Sequence, residues 1–200
     1  MITRSRSDYR KLIRAQRHAL SVSQQNHASQ QLLQQCLSLD LFKQAQHIAL
    51  YLPSDGEIDT HALITALWQQ QKQVYLPVLH PLSPGHLLFL HYLPSTPMVT
   101  NKYGISEPKL DQRLIKPSSQ LDLIVTPLVA FDQNGQRLGM GGGYYDRTLE
   151  AWFQTGKGAQ PLGIAHDCQQ VDLLPSEHWD IPLPTIITPS HVWQWSRQNK

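Results

Sequence analysis

Apolar residues recur along this chain in two rhythms, and each predicts a different element. Residues 7 to 20 read as a helix. A second helix is predicted from Ser23 to Leu37, with Ala28, Leu32, Leu33, Cys36 and Leu37 on one stripe at the helical period. Ser21 or Ser23 would serve as its N-cap. Ile48-Ala49-Leu50-Tyr51-Leu52 is instead an unbroken apolar run, stopped by Pro53-Ser54-Asp55-Gly56, and reads as a strand followed by a turn. Asp59 or Thr60 would cap a helix carrying Leu63, Ile64, Leu67 and Trp68 on one face. Further strands are predicted at Val74 to Leu79, Leu87 to Leu93, Leu121 to Val125, Pro161 to His166 and Thr185 to Thr188. The Pro-rich stretch from Pro94 to Ser119 predicts irregular chain.

Strands alternate with helices, and several strands are continuous apolar runs, as expected of a parallel sheet covered on both faces. The expected fold is α/β, a three-layer α/β/α sandwich with a mostly parallel sheet, formed by one domain over residues 1–200. A hydrophobic content of 40% and a charged content of 16% suit such a core. In these folds ligands gather at the carboxyl ends of strands. The Pro53–Glu57 turn and the Pro127–Gly143 segment are therefore expected to border one cleft.

The net charge of +2 is too small to imply a polyanionic partner. Cys36 and Cys168 are too few for a disulfide framework or a zinc site, and Cys36 reads as a buried free thiol. No segment has the length to span a bilayer, and the Arg-rich N-terminus lacks a signal-peptide apolar core. The expectation is a cytoplasmic monomer that binds small molecules, with neither nucleic acid nor membrane as partner.

The densest chemistry lies in Arg137-Leu138-Gly139-Met140-Gly141-Gly142-Gly143-Tyr144-Tyr145-Asp146-Arg147, with four glycines in five positions. Glycine backbone lets an anion approach closely and turns N–H groups toward it. The residues from Tyr145 to Phe153 read as a helix, whose positive dipole end would fall at the same place. Arg137 adds a fixed cation, and Asp146 is an acceptor suited to a Mg²⁺ that travels with phosphate. Together they point to a nucleoside triphosphate. The spacing fits neither a P-loop nor a dinucleotide fingerprint. The plainer alternative stays open, that these glycines serve positive φ in a loop.

Six of the seventeen Lys and Arg residues fall within the first seventeen positions, and Arg10, Arg14 and Arg17 form one helical stripe with Lys11 beside Arg14. A solvated basic face and a nucleic-acid contact are the alternatives, the second weakened by the scarcity of interleaved aromatics. Glu57 reads as a turn carboxylate at a strand end. Tyr103 is either a core aromatic or a stacking platform.

The glycine string, preceded by Thr126-Pro127-Leu128-Val129-Ala130-Phe131-Asp132 and Gly135, resembles the signature of the 5-formyltetrahydrofolate cyclo-ligase family. Gly56-Glu57-Ile58 and Tyr103-Gly104-Ile105-Ser106-Glu107-Pro108 extend the resemblance over the whole chain. It implies ATP-dependent closure of 5-formyltetrahydrofolate to 5,10-methenyltetrahydrofolate, with Mg²⁺ as cofactor and ATP as co-substrate. It implies an ATP site made of Arg10, Lys11, Arg14, Arg137, Leu138, Gly139, Met140, Gly141, Gly142, Gly143, Tyr144 and Tyr145, with Arg137 catalytic. Leu52, Glu57, Tyr103 and residues Met140 to Tyr144 would contact the folate. Asp146 and Asp180 would be the Mg²⁺ ligands, although His178-Trp179-Asp180 departs from the His-Asp pattern of many relatives. Gly141 and Gly143 are expected to be glycine because ligands approach the backbone there. Two other readings stay open: a folate-sequestering protein without turnover, and a sugar-phosphate isomerase that needs no ATP.

Overall fold

The computed structural model describes residues 4–196, so the outermost residues of the expected 1–200 domain lie outside the described residues. Helix α1 (Arg6–His18) starts at an N-cap Ser5, whose side chain accepts from the Asp8 N–H while Asp8 answers to the Ser5 backbone. Ser21 caps α2 (Val22–Ser38) in the same reciprocal way, with Gln24 as the answering side chain. A short α3 (Asp40–Gln44), strand β1 (His47–Ala49), helix α4 (His61–Gln69) and strand β2 (Gln73–Leu79) follow. Next come β3 (Leu87–His91), the β4 (Met98–Thr100) and β5 (Ser106–Pro108) hairpin, and β6 (Ile115–Lys116). The second half holds β7 (Leu123–Thr126), β8 (Ala130–Asp132), β9 (Arg137–Leu138), α5 (Tyr144–Thr155) and β10 (Gln160–Ile164). It closes with β11 (Gln170–Val171), β12 (Thr185–Ile187) and β13 (Val192–Gln194).

Within the described residues an eight-stranded sheet runs in the order β13-β12-β10-β7-β1-β2-β3-β6. Its five central strands are parallel, and antiparallel strands close both edges. Period-two alternation divides the strand residues between the two faces. Ile48, Leu50, Leu123, Val125, Leu162 and Ile164 pack with Leu32, Cys36, Leu63 and Leu67 of α2 and α4. Ala49, Tyr75, Ile124 and Ile186 pack on the opposite side with Leu149 of α5. The fold is the expected mixed α/β architecture, with helices on both faces of a mostly parallel sheet. Each fully buried Leu or Ile contributes about 1.5–3 kcal/mol, which is why the apolar runs dominate the strand pattern.

The differences from expectation lie at strand ends and edges. The β1 ladder ends at Ala49 rather than Leu52, although the Leu50 N–H still donates to the Tyr75 carbonyl at 2.9 Å. Pro94 to Ser119, expected to be irregular, contains β4, β5 and β6. These strands are two or three residues long and lie at the margins, so no apolar run announces them. A separate sheet in the order β11-β8-β9 was not anticipated, nor was β13. Against the small sheet α1 places Ile13, in a cluster with Val129, Ala130, Leu138 and Leu174.

Candidate active site

The parallel strands end on one side of the sheet, and the loops that leave them there enclose a cavity of about 1570 Å³. The turn after β1 brings Leu52, Asp55 and Glu57 to it, and the loop after β7 brings Pro127, Leu128 and Val129. The β4–β5 hairpin brings Asn101 and Tyr103, and α1 brings Arg6, Arg10 and Arg14. The volume exceeds the roughly 300–1,000 Å³ usual for one small-molecule site, so two ligands fit side by side.

Gly139 to Gly143 form the floor between these walls. Strand β9 pairs with β8, which buries Leu138 and fixes where the loop departs. Gly143 then opens α5 in the left-handed region at φ 65°. Cations hold the loop by its carbonyl oxygens: Arg10 Nε donates to Gly139 at 2.8 Å, and Arg147 Nη2 donates to Gly142. Arg147 Nε also donates to the Gly85 carbonyl at 2.7 Å, tying the loop to the β2–β3 turn. Among the described residues, the N–H groups of Met140 to Gly143 donate to no protein acceptor. With the α5 dipole beneath them, these amides make an anion-binding concavity.

Arg137 is buried under this loop. Its Nη2 donates to Asp146 Oδ1 at 2.6 Å, while its Nε is buried without a partner. Burial lowers its pKa against the pull of Asp146 and Asp180. At the opposite wall, Glu57 Oε2 accepts from the Ser54 N–H at 3.0 Å. Burial pushes the Glu57 carboxyl up to about 6, opposed by Ser54 and by the Arg17 charge. Between the walls, the Tyr103 and Tyr144 hydroxyls meet at 2.9 Å with their rings edge to face, so the β4–β5 hairpin reaches the first residue of α5.

The family model that describes the 5-formyltetrahydrofolate cyclo-ligase family matches residues 2–189 of the chain. The chain belongs to that family. It is 53% identical to the 5-formyltetrahydrofolate cyclo-ligase of Escherichia coli K12 over 186 residues, which cover 92% of this chain and all of that protein. It is also 53% identical to the Haemophilus influenzae protein of the same name, over 94% of this chain and 99% of that protein. Among solved structures it is similar to the Aquifex aeolicus 5,10-methenyltetrahydrofolate synthetase, with a TM-score of 0.79 and 29% identity over 94% of this chain and 92% of that one. For the Mycoplasma pneumoniae 5,10-methenyltetrahydrofolate synthetase the TM-score is 0.73, at 27% identity over 93% of this chain and 99% of that one.

Most residues expected of a cyclo-ligase site converge on the cleft. Leu52, Glu57, Tyr103, Arg10, Arg14, Arg137, Gly139 to Tyr145, Asp146 and Asp180 all line it. Lys11 is exposed and does not line it, and the Leu138 side chain is wholly in the core. The basic stripe is largely paired rather than a solvated face. Arg14 clasps Asp55 through Nε at 2.7 Å and Nη2 at 2.9 Å, and Arg17 is fully buried with Nη2 on Asp55 at 2.7 Å. Arg6, which is not among the residues expected at the site, also lines the cleft and stands four residues before Arg10 on the same helical spacing. It forms a two-pronged pair with Asp180. Gly141 lies at φ 101° and Gly143 at φ 65°, so chain geometry by itself favours glycine at both, and ligand approach is not needed to explain them.

The two carboxylates expected to hold Mg²⁺ are not equivalent. Asp180 accepts from Arg6 with both oxygens and from the Glu177 N–H at 2.8 Å through Oδ2, so a metal there would share these oxygens with Arg6 or displace it. Asp146 uses only Oδ1, toward Arg137 and the Ile181 N–H, and leaves Oδ2 open. Among the described residues no three His, Cys, Asp or Glu gather into a metal cage. That donor set fits an ion carried mainly by phosphate and water, with Asp146 as its protein ligand.

Proposed function

We propose that this chain, as one cyclo-ligase domain over residues 1–200, converts 5-formyltetrahydrofolate to 5,10-methenyltetrahydrofolate while ATP becomes ADP and phosphate. The observation that carries this reading is the unpartnered amide row of Met140 to Gly143, which lies between a cationic wall and the Glu57 wall of one cleft. A loop so placed touches a triphosphate and a folate together.

An N-formyl amide is a poor electrophile, and its oxygen leaves only once it carries a better leaving group. The formyl oxygen attacks the γ-phosphorus and ADP departs. N10 then closes on the activated carbon and loses its proton, and phosphate leaves with the former formyl oxygen. The substrate supplies the nucleophile, so the protein's part is positioning and charge stabilisation. We assign anion binding to Arg137, Arg10, Arg14 and the loop amides from Gly139 to Tyr145. Glu57 accepts from the pterin amino group and ring N–H. Leu52 and Tyr103 flank the folate rings. Mg²⁺, when present on the nucleotide, would be held through Asp146 and would neutralise phosphate charge. We place the enzyme in the cytoplasm as a monomer. Among the described residues no helix is long and apolar enough to cross a membrane.

Following methenyl product by absorbance with and without ATP tests this reading. ATP-dependent product formation with equimolar ADP supports it. Binding of the folate without turnover favours sequestration, and turnover without ATP favours an isomerase.

A further inference from the structure

Asp55 is the most heavily engaged carboxylate near the cleft. Its oxygens accept from Arg14 Nε and Nη2, from Arg17 Nη2 and from His18 Nε2 at 2.9 Å, and its carbonyl accepts from Arg17 Nη2 at 2.8 Å. All three partners lie on α1. Asp55 sits at φ 52°, a left-handed conformation that Asp tolerates better than most residues. This turns its carboxylate out to α1, while Glu57, two residues on, faces the cavity. Gly56 packs directly on the same helix, since a Cβ there would stand 3.4 Å from Arg17 Cβ and from His18 Nδ1.

The other end of α1 holds the nucleotide side of the cleft. Arg10 grips the Gly139 carbonyl and Arg6 grips Asp180. Apart from Ile13, the buried side chain of α1 is Arg17 itself, so the helix is seated chiefly by polar contacts to three loops. Arg14 presents only one edge of its guanidinium to Asp55, and the other edge remains available to an anion.

We propose that Asp55 is a positioning residue that makes nucleotide and folate binding interdependent, by clamping α1 to the turn that carries Glu57. A ligand that orders one end of α1 thereby orders the other, and the second ligand meets a prepared wall. Such coupling is reciprocal and typically amounts to about 5–150-fold in affinity. The proposal rests on the two-substrate reading above.

Titrations with a non-hydrolysable ATP analogue and with 5-formyltetrahydrofolate, each alone and each with the other saturating, measure the coupling factor. In the unaltered protein each ligand is expected to tighten the other at least 5-fold. Asp55→Asn keeps a side chain suited to the left-handed turn but loses the charge. In this variant the factor is expected to fall below about 2-fold, under the range usual for such coupling, while both ligands still bind singly. His18→Ala removes an exposed Asp55 donor that does not line the cleft, and keeps the test open should Asp55→Asn fail to fold. Its factor is expected to drop at least twofold, on the order of one lost surface interaction. Independent binding in the unaltered protein, or an unchanged factor in either folded variant, overturns the inference. Failure of the nucleotide analogue to bind the unaltered protein overturns the two-substrate reading, and this inference with it.

Discussion

Burial raises the Glu57 carboxyl to about 6 from an ordinary 4.5, so in the unliganded protein its charge opposes folding. A raised carboxyl binds its proton more tightly when folded, and stability is therefore lost as pH rises from 4.5 through 6, by up to about 2 kcal/mol. Glu57→Gln removes that cost. The variant is expected to melt above the unaltered protein at pH 8 and level with it below pH 4.5, as read by thermal scans. It should also weaken folate binding by about 1.5–3 kcal/mol, the worth of a charged hydrogen bond, while nucleotide affinity holds. An equal fall in both affinities would assign Glu57 to the nucleotide site or to the fold. At Arg137 the balance differs, because this buried cation both holds Asp146 and underlies the loop. Arg137→Ala is expected to lower turnover about 10²–10³-fold, as when one charge-stabilising donor is lost. It should also lower the melting temperature, because Asp146 loses its partner. Near-normal turnover in a folded Arg137→Ala protein would remove the proposed role.

The glycine loop separates chain geometry from ligand approach, position by position. Ala at Gly141 or Gly143 is strained by positive φ whatever the ligand, so both variants should melt lower. Gly139 is the informative position. Its φ is outside the left-handed region, and an added Cβ would meet only Arg137 Nη1 at 3.9 Å, an ordinary contact. Gly139→Ala is expected to leave the unliganded melting temperature nearly unchanged. It should abolish most ATP-dependent turnover and most of the stabilisation that Mg·ATP confers by mass action. Full turnover in that variant would mean that the cradle lies elsewhere. The elements themselves were largely legible in the sequence, for a physical reason. Strands buried on both faces cannot alternate, so Ile48 to Leu52 and Leu121 to Val125 stand out as apolar runs, and Ser21 marks a helix start by its own hydrogen bond. The hairpin of Met98 to Pro108 escaped notice because its strands are short and carry no apolar run. The pairing of Arg14 with Asp55 and of Arg6 with Asp180 was equally hidden. These partners are 41 and 174 residues apart, and no local pattern links them.

For the whole molecule, the folding topology brings a buried histidine and a half-buried carboxylate with opposite pH responses together around Arg17. His166, just past β10, is only 2% exposed, and burial beside the Arg17 charge lowers its pKa from 6.5 to about 4. A depressed histidine contributes stability that is present above 6.5 and lost as pH falls through 4, by about 3 kcal/mol. Glu57 acts in the other direction, returning up to about 2 kcal/mol as pH falls from 6 to 4.5. Asp55, depressed by Arg14 and His18, and Asp180, depressed by Arg6 against its own burial, lose their contributions only below an ordinary aspartate value of 3.8. His91, lowered by burial, adds the same slope to every variant and cancels in comparison. Apart from the shared His91 loss, the unaltered protein is therefore expected to change by only about 1 kcal/mol between pH 6.5 and 4, the difference of the two opposing contributions. Single substitutions should separate them in opposite senses. Glu57→Gln should show the His166 loss in full, growing less stable by about 3 kcal/mol beyond the shared His91 loss as pH falls across that window. His166→Gln should gain stability relative to the unaltered protein as pH falls from 6.5, because of the opposing pair only Glu57 then titrates. Urea midpoints at pH 6.5, 5.5 and 4.5 measure both slopes, taken in unliganded protein so that no bound anion shifts the balance. A His166→Gln protein that keeps the unaltered profile would show that this histidine titrates alike in the folded and unfolded chains, and that its burial does not depress it.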